Sequence, residues 1–276
     1  MTMNGSRYNR NIALFGEEGQ QKIAKTSVAI VGLGGLGSHV AQQLAYLGVI
    51  NYSLIDDDEI TESSLNRLVG AVPQDVESRV LKAHVAERLI KSVQPESAVE
   101  VLPGRLSRTA DDAAAMIRNC DVVFGCVDRE APRLFLTDLC SRFATTYFDL
   151  ATDTGGEGED WYGGRVVYCD GTRCLSCLDL LDQRLIRLEQ MTEAELETER
   201  RIYGLDHHLL GATGPAVVSI NGVVASIAVT EFMAHVTRIR PAEAQIVYRG
   251  DIPRVTTSTD SPREGCPYCA RWRTRV

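Results

Sequence analysis

The stretch VGLGGLGSHV, residues 31–40, decides the fold of this chain. Its glycines Gly32, Gly34 and Gly37 have the GxGxxG spacing, after the β-branched run 27–33 and before the apolar, Ala-rich segment 36–47. A strand, a glycine turn and a helix in that order form an anion site, because the glycines let the backbone approach a phosphate and the helix N-terminus offers free N–H groups. The stretch predicts a bound nucleotide, but it does not distinguish a redox dinucleotide from ATP.

The flanking segments continue this alternation of strands and helices. Strands are predicted at 27–33, 51–56, 98–103, 120–128 and 145–151, and helices at 9–24, 36–47, 78–93, 109–118 and 131–143. A short strand (165–170), a charged helix-prone segment (178–210), a long apolar helix (217–236) and two closing strands follow. Alternating strands and helices are typical of βαβ units. The predicted fold class is therefore α/β, a Rossmann-like, doubly wound and mostly parallel sheet with a C-terminal strand extension.

Length and charge narrow the class of protein. The chain has 276 residues, enough for one domain, and we expect a nucleotide-binding half at 27–151 and a second half at 152–276. Its net charge is −8, whereas a non-specific nucleic-acid binder is basic, so no nucleic-acid partner is expected. The first residues lack the apolar core of a signal peptide, and an uncharged membrane-spanning run is not evident. We expect a cytoplasmic enzyme with no membrane partner.

Acidic and basic residues after the glycine turn favour ATP. Asp56 closes the second predicted strand, where a ribose hydroxyl is bound in such folds. Arg67 and Lys82 follow, and two cations near an adenine nucleotide suit a triphosphate, whose charge they neutralise. Asp128 closes the fourth strand of the parallel set, where it can hold Mg²⁺. It can also cap the next helix, and that role is compatible with metal binding.

Four of the eight cysteines form two CxxC pairs, Cys174 with Cys177 and Cys266 with Cys269. Four thiolates at this spacing are typical of a closed, tetrahedral structural Zn²⁺ site. A redox pair and unrelated buried cysteines are the alternatives. Zinc here would attach the C-terminal tail to the region that follows the parallel strands and would have no catalytic role.

Taken together, these motifs resemble the adenylyltransferase family of ubiquitin-activating enzymes and their bacterial relatives of the ThiF/MoeB/HesA type, which activate sulfur-carrier proteins. The resemblance rests on RYNRNI (7–12), the segment 28–49, LIDDDEI (54–60), SSLNR (63–67), Lys82, GCVD (125–128) and the CxxC pairs. It implies that the chain binds ATP–Mg²⁺ and the C-terminal glycine of a ubiquitin-like or sulfur-carrier protein. The glycine carboxylate would attack the α-phosphate and form an acyl-adenylate and pyrophosphate.

The resemblance also implies roles for single residues. Asp56 would hold the ribose, Arg67 and Lys82 the phosphates, and Asp128 Mg²⁺. Arg10 would reach the γ-phosphate of the other subunit's ATP, which implies a homodimer and a role like that of an arginine finger. The full nucleotide-binding set implied by the matched motifs is Gly32, Gly34, Gly35, Gly37, Asp56, Asp58, Asn66, Arg67, Lys82 and Asp128.

The chain departs from the family at several positions. Ser64 and Leu68 stand where the family has Asn and Gln, and the segment before Lys82 is longer, which leaves Lys91 as an alternative to Lys82. The crossover segment 178–218 contains no cysteine, so the acyl-adenylate would pass directly to a partner's nucleophile. A less favoured alternative is Thr213 as nucleophile, with His207 or His208 as its base.

Three functions remain open at this point. The first is adenylation of a ubiquitin-like protein, favoured here in a bacterial conjugation pathway with a conjugating-enzyme-like partner because the crossover segment is long. Its alternative is sulfur-carrier adenylation for molybdopterin or thiamine synthesis. The second is a non-catalytic scaffold subunit, and the third is an NAD-dependent dehydrogenase, which would use only the glycine pattern and Asp56 and leave the other motifs unexplained.

Overall fold

The computed structural model describes residues 7–104, 109–154, 160–203 and 216–275. Ten helices and eight strands are assigned within them. The helices are α1 (Asn9–Lys25), α2 (Gly35–Leu47), α3 (Pro73–Glu77), α4 (Lys82–Val93), α5 (Ala110–Arg118), α6 (Glu130–Phe143), α7 (Gln183–Gln190), α8 (Glu193–Tyr203), α9 (Val218–Thr237) and α10 (Pro267–Arg273). The strands are β1 (Ser27–Val31), β2 (Asn51–Ile55), β3 (Ala98–Leu102), β4 (Val122–Gly125), β5 (Thr146–Thr154), β6 (Tyr162–Cys169), β7 (Gln245–Arg249) and β8 (Arg254–Thr257).

All eight strands belong to one sheet, in the order β3-β2-β1-β4-β5-β6-β7-β8. The first five are parallel, and β6, β7 and β8 are added antiparallel. The order reverses direction between β1 and β4, and in open parallel sheets this switch point marks the ligand crevice at the carboxyl ends of the strands. The predicted fold class, with its antiparallel extension at the C-terminal side, is confirmed.

Helices cover both faces of the sheet. One core lies under α2, α4 and α9 and includes Ile30, Leu44 and Phe232, all with no exposed surface. The other lies under α5, α6 and α10 and includes Val123 and Tyr147. Burial on both faces explains why β1 and β4 consist of consecutive apolar residues and do not alternate with polar ones.

Among the described residues, α9 is the one helix with the length and hydropathy that would suffice to cross a membrane. In this fold it packs against β5, β6 and α2, as predicted for the segment 217–236. Its buried Glu231 is paired with Arg240, with 2.5 Å between Oε1 and Nη2. The helix is therefore a core element of this sheet.

The predicted helix at 78–93 is wrong at its start, because α4 begins at Lys82. Leu81 forms an isolated bridge with Glu59, and Val80 accepts a hydrogen bond from Ile60, so this stretch of backbone is extended. Arg79 just before it has a φ of 51°, which no helix accommodates. The break places Lys82 in the first turn of α4, beside the residues that follow β2.

Candidate nucleotide site and cysteine cluster

The glycine loop lies between the carboxyl ends of β1 and β4. Gly32 has a φ of 85°, and a Cβ there would lie 2.7 Å from the carbonyl oxygen of Cys126, so only glycine fits. A Cβ at Gly37 would overlap the carbonyl oxygen of Gly32. Around Gly34, by contrast, no described atom lies within 4 Å of a Cβ position, so this side of the loop has room for a ligand.

Asp56 is attached to the glycine loop by its side chain. Its Oδ2 accepts a hydrogen bond from the Leu33 N–H at 2.6 Å, and its Oδ1 accepts one from the Asp58 N–H at 2.9 Å. Burial raises the pKa of Asp56, and the Leu33 N–H and the charge of Lys82 partly oppose that rise. A desolvated carboxyl with further acceptor capacity suits the two hydroxyls of a ribose.

Lys82 lies at the same edge as Asp56. Its Nζ is 2.6 Å from Asp58 Oδ2, and its side chain is 17% exposed. The alternative, Lys91, pairs with Glu87 at 2.9 Å and lies nine residues along α4, about 14 Å away at 1.5 Å per residue. Lys82 therefore lies beside the residues that follow β2, whereas Lys91 lies further along α4 and away from them.

Arg67 passes over the first turn of α2. A Cβ at Gly35 would lie 3.6 Å from Arg67 Cδ, and the guanidinium donates to the Ser63 carbonyl and to Asn66 Oδ1. Ser38 holds this segment in place, because its Oγ accepts a hydrogen bond from the Val69 N–H at 3.0 Å. Asn66 is exposed beside Arg67.

The two departures at Ser64 and Leu68 have structural explanations. Ser64 is buried, and its Oγ accepts from the Thr61 N–H at 3.3 Å, which closes a 3-10 turn over Glu62–Ser64. Leu68 is 5% exposed and packs with Ile60 and Val85 in a small apolar cluster. Both side chains stabilise the turn that carries Arg67. Neither offers an exposed polar group that a ligand could bind.

Asp128 follows β4 and is exposed. The alternative role of Asp128 as a helix cap is wrong, because the N-cap residue of α6 is Arg129. The side chain of Arg129 makes no capping hydrogen bond. Glu189 of α7 caps this helix instead. Its carboxylate accepts hydrogen bonds from the N–H groups of Glu130 (3.3 Å) and Ala131 (2.7 Å). An exposed carboxylate at the carboxyl edge of a parallel sheet is the kind of ligand that Mg²⁺ takes in proteins.

Arg10 is the one residue of the predicted nucleotide site that lies far from this edge in the described structure. It is exposed in the first turn of α1, next to Asn11, whose Nδ2 donates to the Leu47 carbonyl at the C-terminal end of α2. The glycine loop is at the other end of α2, a helix of 13 residues and therefore about 20 Å long. Arg10 thus does not reach the glycine loop of its own chain.

The four CxxC cysteines come together on the face of the sheet that α5, α6 and α10 cover. Their sulfur atoms all lie within 4.8 Å of one another, with Cys174–Cys266 at 3.6 Å and Cys177–Cys269 at 3.8 Å. A tetrahedron with Zn–S bonds of about 2.3 Å has edges of about 3.8 Å. The pKa of Cys174 is lowered to about 5, mainly because the Cys269 thiol donates to it. The donor set fits a structural Zn²⁺ ion.

Some site residues were missed by sequence reasoning. Ser38 and Glu189 act on elements distant in sequence, so no local motif identifies them. The alternative nucleophile Thr213 and the alternative bases His207 and His208 lie outside the described residues.

Comparison with solved structures supports the fold. The chain aligns with Escherichia coli MccB, solved with ATP, at a TM-score of 0.72 and 19% sequence identity over 97% of this chain and 75% of that chain. At that identity the likeness shows the shared fold alone.

Sequence comparison gives the family. The chain is 35% identical over 137 residues to the sulfur carrier protein ThiS adenylyltransferase of Escherichia coli strain K12, covering 49% of this chain and 53% of that protein. It is 32% identical over 136 residues to the SAMP-activating enzyme E1 of Haloferax volcanii, covering 49% of each. The chain thus spans about half the length of these relatives. The ThiF family model matches residues 8–267, and the chain belongs to the ThiF family.

Proposed function

We propose that this chain is an ATP-dependent adenylyltransferase that activates the C-terminal carboxylate of a sulfur-carrier protein. Three contacts at the switch point of the sheet carry the proposal. Asp56 bonds to the glycine loop, Arg67 packs over the first turn of α2, and Lys82 pairs with Asp58 beside Asp56. A ribose-binding acid, two cations and free helix N–H groups at one edge suit a nucleoside triphosphate.

The reaction follows from this arrangement. A carboxylate oxygen of the carrier's terminal glycine attacks the α-phosphorus of ATP, a new P–O bond forms, and the bond to the β-phosphate oxygen breaks. The electron pair leaves with pyrophosphate, and no proton has to move. Arg67 and Lys82 neutralise the charge that gathers on the phosphates. Asp128 would hold Mg²⁺, which supplies further charge neutralisation when bound.

The names of the relatives favour one branch of this function. The Escherichia coli relative is named for adenylating the sulfur carrier ThiS, and the Haloferax relative for activating SAMP. The crossover segment of this chain has no cysteine, in agreement with direct transfer of the acyl group to a partner's nucleophile. We therefore favour sulfur-carrier activation over the bacterial conjugation pathway preferred from sequence alone, with a homodimer as the working assembly.

ATP–pyrophosphate exchange tests the proposal. Purified protein is mixed with ATP, labelled pyrophosphate and a small carrier protein ending in glycine, and exchange into ATP is expected only with the intact tail. The same carrier without its terminal glycine is the control. Nucleotide binding without exchange for every glycine-tailed carrier supports a scaffold subunit, and tight binding of NAD without binding of ATP supports a dehydrogenase.

A further inference from the structure

Asn221 connects α9 to the nucleotide loop. It lies in the first turns of α9 and is 1% exposed. Its side-chain amide reaches across to α2, where a Cβ at Gly35 would overlap Nδ2. The residue at the head of α2 is therefore glycine because an amide from a distant helix occupies the space of its side chain.

The amide of Asn221 is bonded on one side only. Its Oδ1 accepts from the Thr152 hydroxyl at 3.4 Å, which turns the NH₂ group towards Gly35. Within the described part of the chain, the buried Nδ2 has no hydrogen-bond acceptor. A buried donor without an acceptor destabilises a fold, because it has lost its hydrogen bonds to water. An acceptor supplied by a ligand would remove that penalty.

The N-terminus of α2 lies next to Asn221, because the Asn221 Nδ2 is packed against Gly35. The first bond inside this helix runs from the Ser38 N–H to the Gly34 carbonyl at 3.0 Å, so the N–H groups just before Ser38 have no acceptor in the helix. Asp56 is bonded to the Leu33 N–H, two residues before Gly35. A ribose at Asp56 therefore presents its own phosphate, the α-phosphate, to the head of α2.

We propose that Asn221 donates its amide N–H to a nonbridging oxygen of the α-phosphoryl group, and this rests on the function proposed above. The α-phosphorus is the atom attacked by the glycine carboxylate, and its bond to the pyrophosphate oxygen breaks as the new P–O bond forms. A fixed donor on a nonbridging oxygen stabilises the charge there without reorganisation. Asn221 touches the reacting group and belongs with Arg67 in the catalytic set.

Binding of AMP and of adenosine to the full chain tests this assignment. Asn221→Leu removes the donor and keeps the branched shape of the side chain, and AMP affinity is expected to fall about tenfold or more while adenosine affinity stays the same. The matched control is Gln20→Leu. Gln20 lies on α1, is as buried as Asn221, and its amide donates to the Leu47 carbonyl at the C-terminal end of α2. Gln20→Leu should leave both affinities unchanged.

The outcomes separate this proposal from the function itself. Unchanged AMP affinity in folded Asn221→Leu, or an equal loss for AMP and adenosine, overturns the role of Asn221 while exchange by the wild type still supports adenylation. If the wild type binds AMP but exchanges no pyrophosphate, the proposed adenylation is wrong. The AMP affinities of wild type and Asn221→Leu still test the hydrogen bond from Asn221 to the phosphate. Wild type that binds no nucleotide overturns both. If Asn221→Leu does not fold, Thr152→Val, which removes the orienting hydroxyl, should show a smaller loss for AMP alone.

Discussion

At the residue scale, the site separates side chains that hold the loop from side chains that face the ligand. Ser64 and Leu68 are buried in the turn that carries Arg67, whereas Asp128 is exposed beside the glycine loop. Replacing a buried residue would damage the turn and the activity together. An exposed residue permits a cleaner test, since surface substitutions usually change stability by less than about 0.5 kcal/mol.

Asp128→Ala is expected to reduce adenylate formation about a hundredfold or more, because the carboxylate that would hold Mg²⁺ is lost, while the melting temperature stays near the wild-type value. Pyrophosphate exchange and thermal unfolding measure the two effects. Asp121→Ala is the control, since Asp121 is also exposed but lies at the amino end of β4, where it accepts from the Ser27 N–H. Full activity in Asp128→Ala would remove Asp128 from the site.

At the element scale, the segment between Arg67 and Lys82 is held by α4. Arg88 of α4 donates to both carboxylate oxygens of Asp75 at 2.7 Å and to the Gly70 carbonyl at 2.9 Å. Asp75 is 3% exposed and also accepts from the Val72 N–H at 2.9 Å. The ion pair between Arg88 and Asp75 thus holds the segment that connects Arg67 to Lys82.

This pair gives a pH dependence of stability. The hydrogen bonds from Arg88 hold the pKa of Asp75 below its ordinary value of about 3.9. The unfolded chain therefore takes up the proton first as pH falls, so the stabilisation is present above about pH 4 and is lost as pH falls through the lower, folded pKa. Arg88→Met is expected to lower the free energy of unfolding by about 1–3 kcal/mol at pH 7, with the difference from wild type shrinking in acid.

Urea unfolding at pH 7, 5 and 3.5 measures this difference. Lys91→Met is the control, since Lys91 lies on the same helix and pairs with Glu87 near the surface. Its effect should stay within about 0.5 kcal/mol at each pH. A loss in Arg88→Met that does not shrink towards pH 3.5 would contradict the contribution assigned to the Asp75 carboxylate.

At the scale of the whole molecule, the cysteine cluster attaches the C-terminal helix to the region after β6. Cys266→Ser is expected to release bound zinc and to lower the melting temperature by roughly 5 °C or more, at about 2–4 °C per kcal/mol for a domain of this size. Metal analysis and calorimetry measure both. Cys140→Ser, in a buried cysteine outside the cluster, should retain the metal. Unchanged zinc content in Cys266→Ser would show that the four-cysteine assignment is wrong.

The position of Arg10 leads to a prediction about assembly. Arg10 lies at the far end of α2 from its own glycine loop, so an Arg10 that acts on ATP must come from a second copy. Arg10→Ala and Asp128→Ala are each expected to be inactive alone, but mixed subunits should regain about a quarter of wild-type exchange, since half the dimers would carry one complete site. Pyrophosphate exchange is measured after the two variants are refolded together. In the control mixture, Arg118→Ala takes the place of Arg10→Ala.

The sequence alone determined the parts of this protein that depend on local order. Consecutive apolar strands, helical periodicity and the glycine spacing predict the parallel sheet and the phosphate loop, because each arises from neighbouring residues. The spacing within each CxxC pair likewise predicts a metal site. These features need no knowledge of which distant segments meet.

Only the tertiary structure decided which chemical groups share a space. It placed Lys82 beside Asp58 by breaking the predicted helix, put Glu189 in the capping position considered for Asp128, and set the amide of Asn221 against Gly35. Each contact joins segments that lie at least 24 positions apart in the chain, as for Asp58 and Lys82. Such contacts follow from the packing of whole helices on the sheet, so local residue patterns do not predict them.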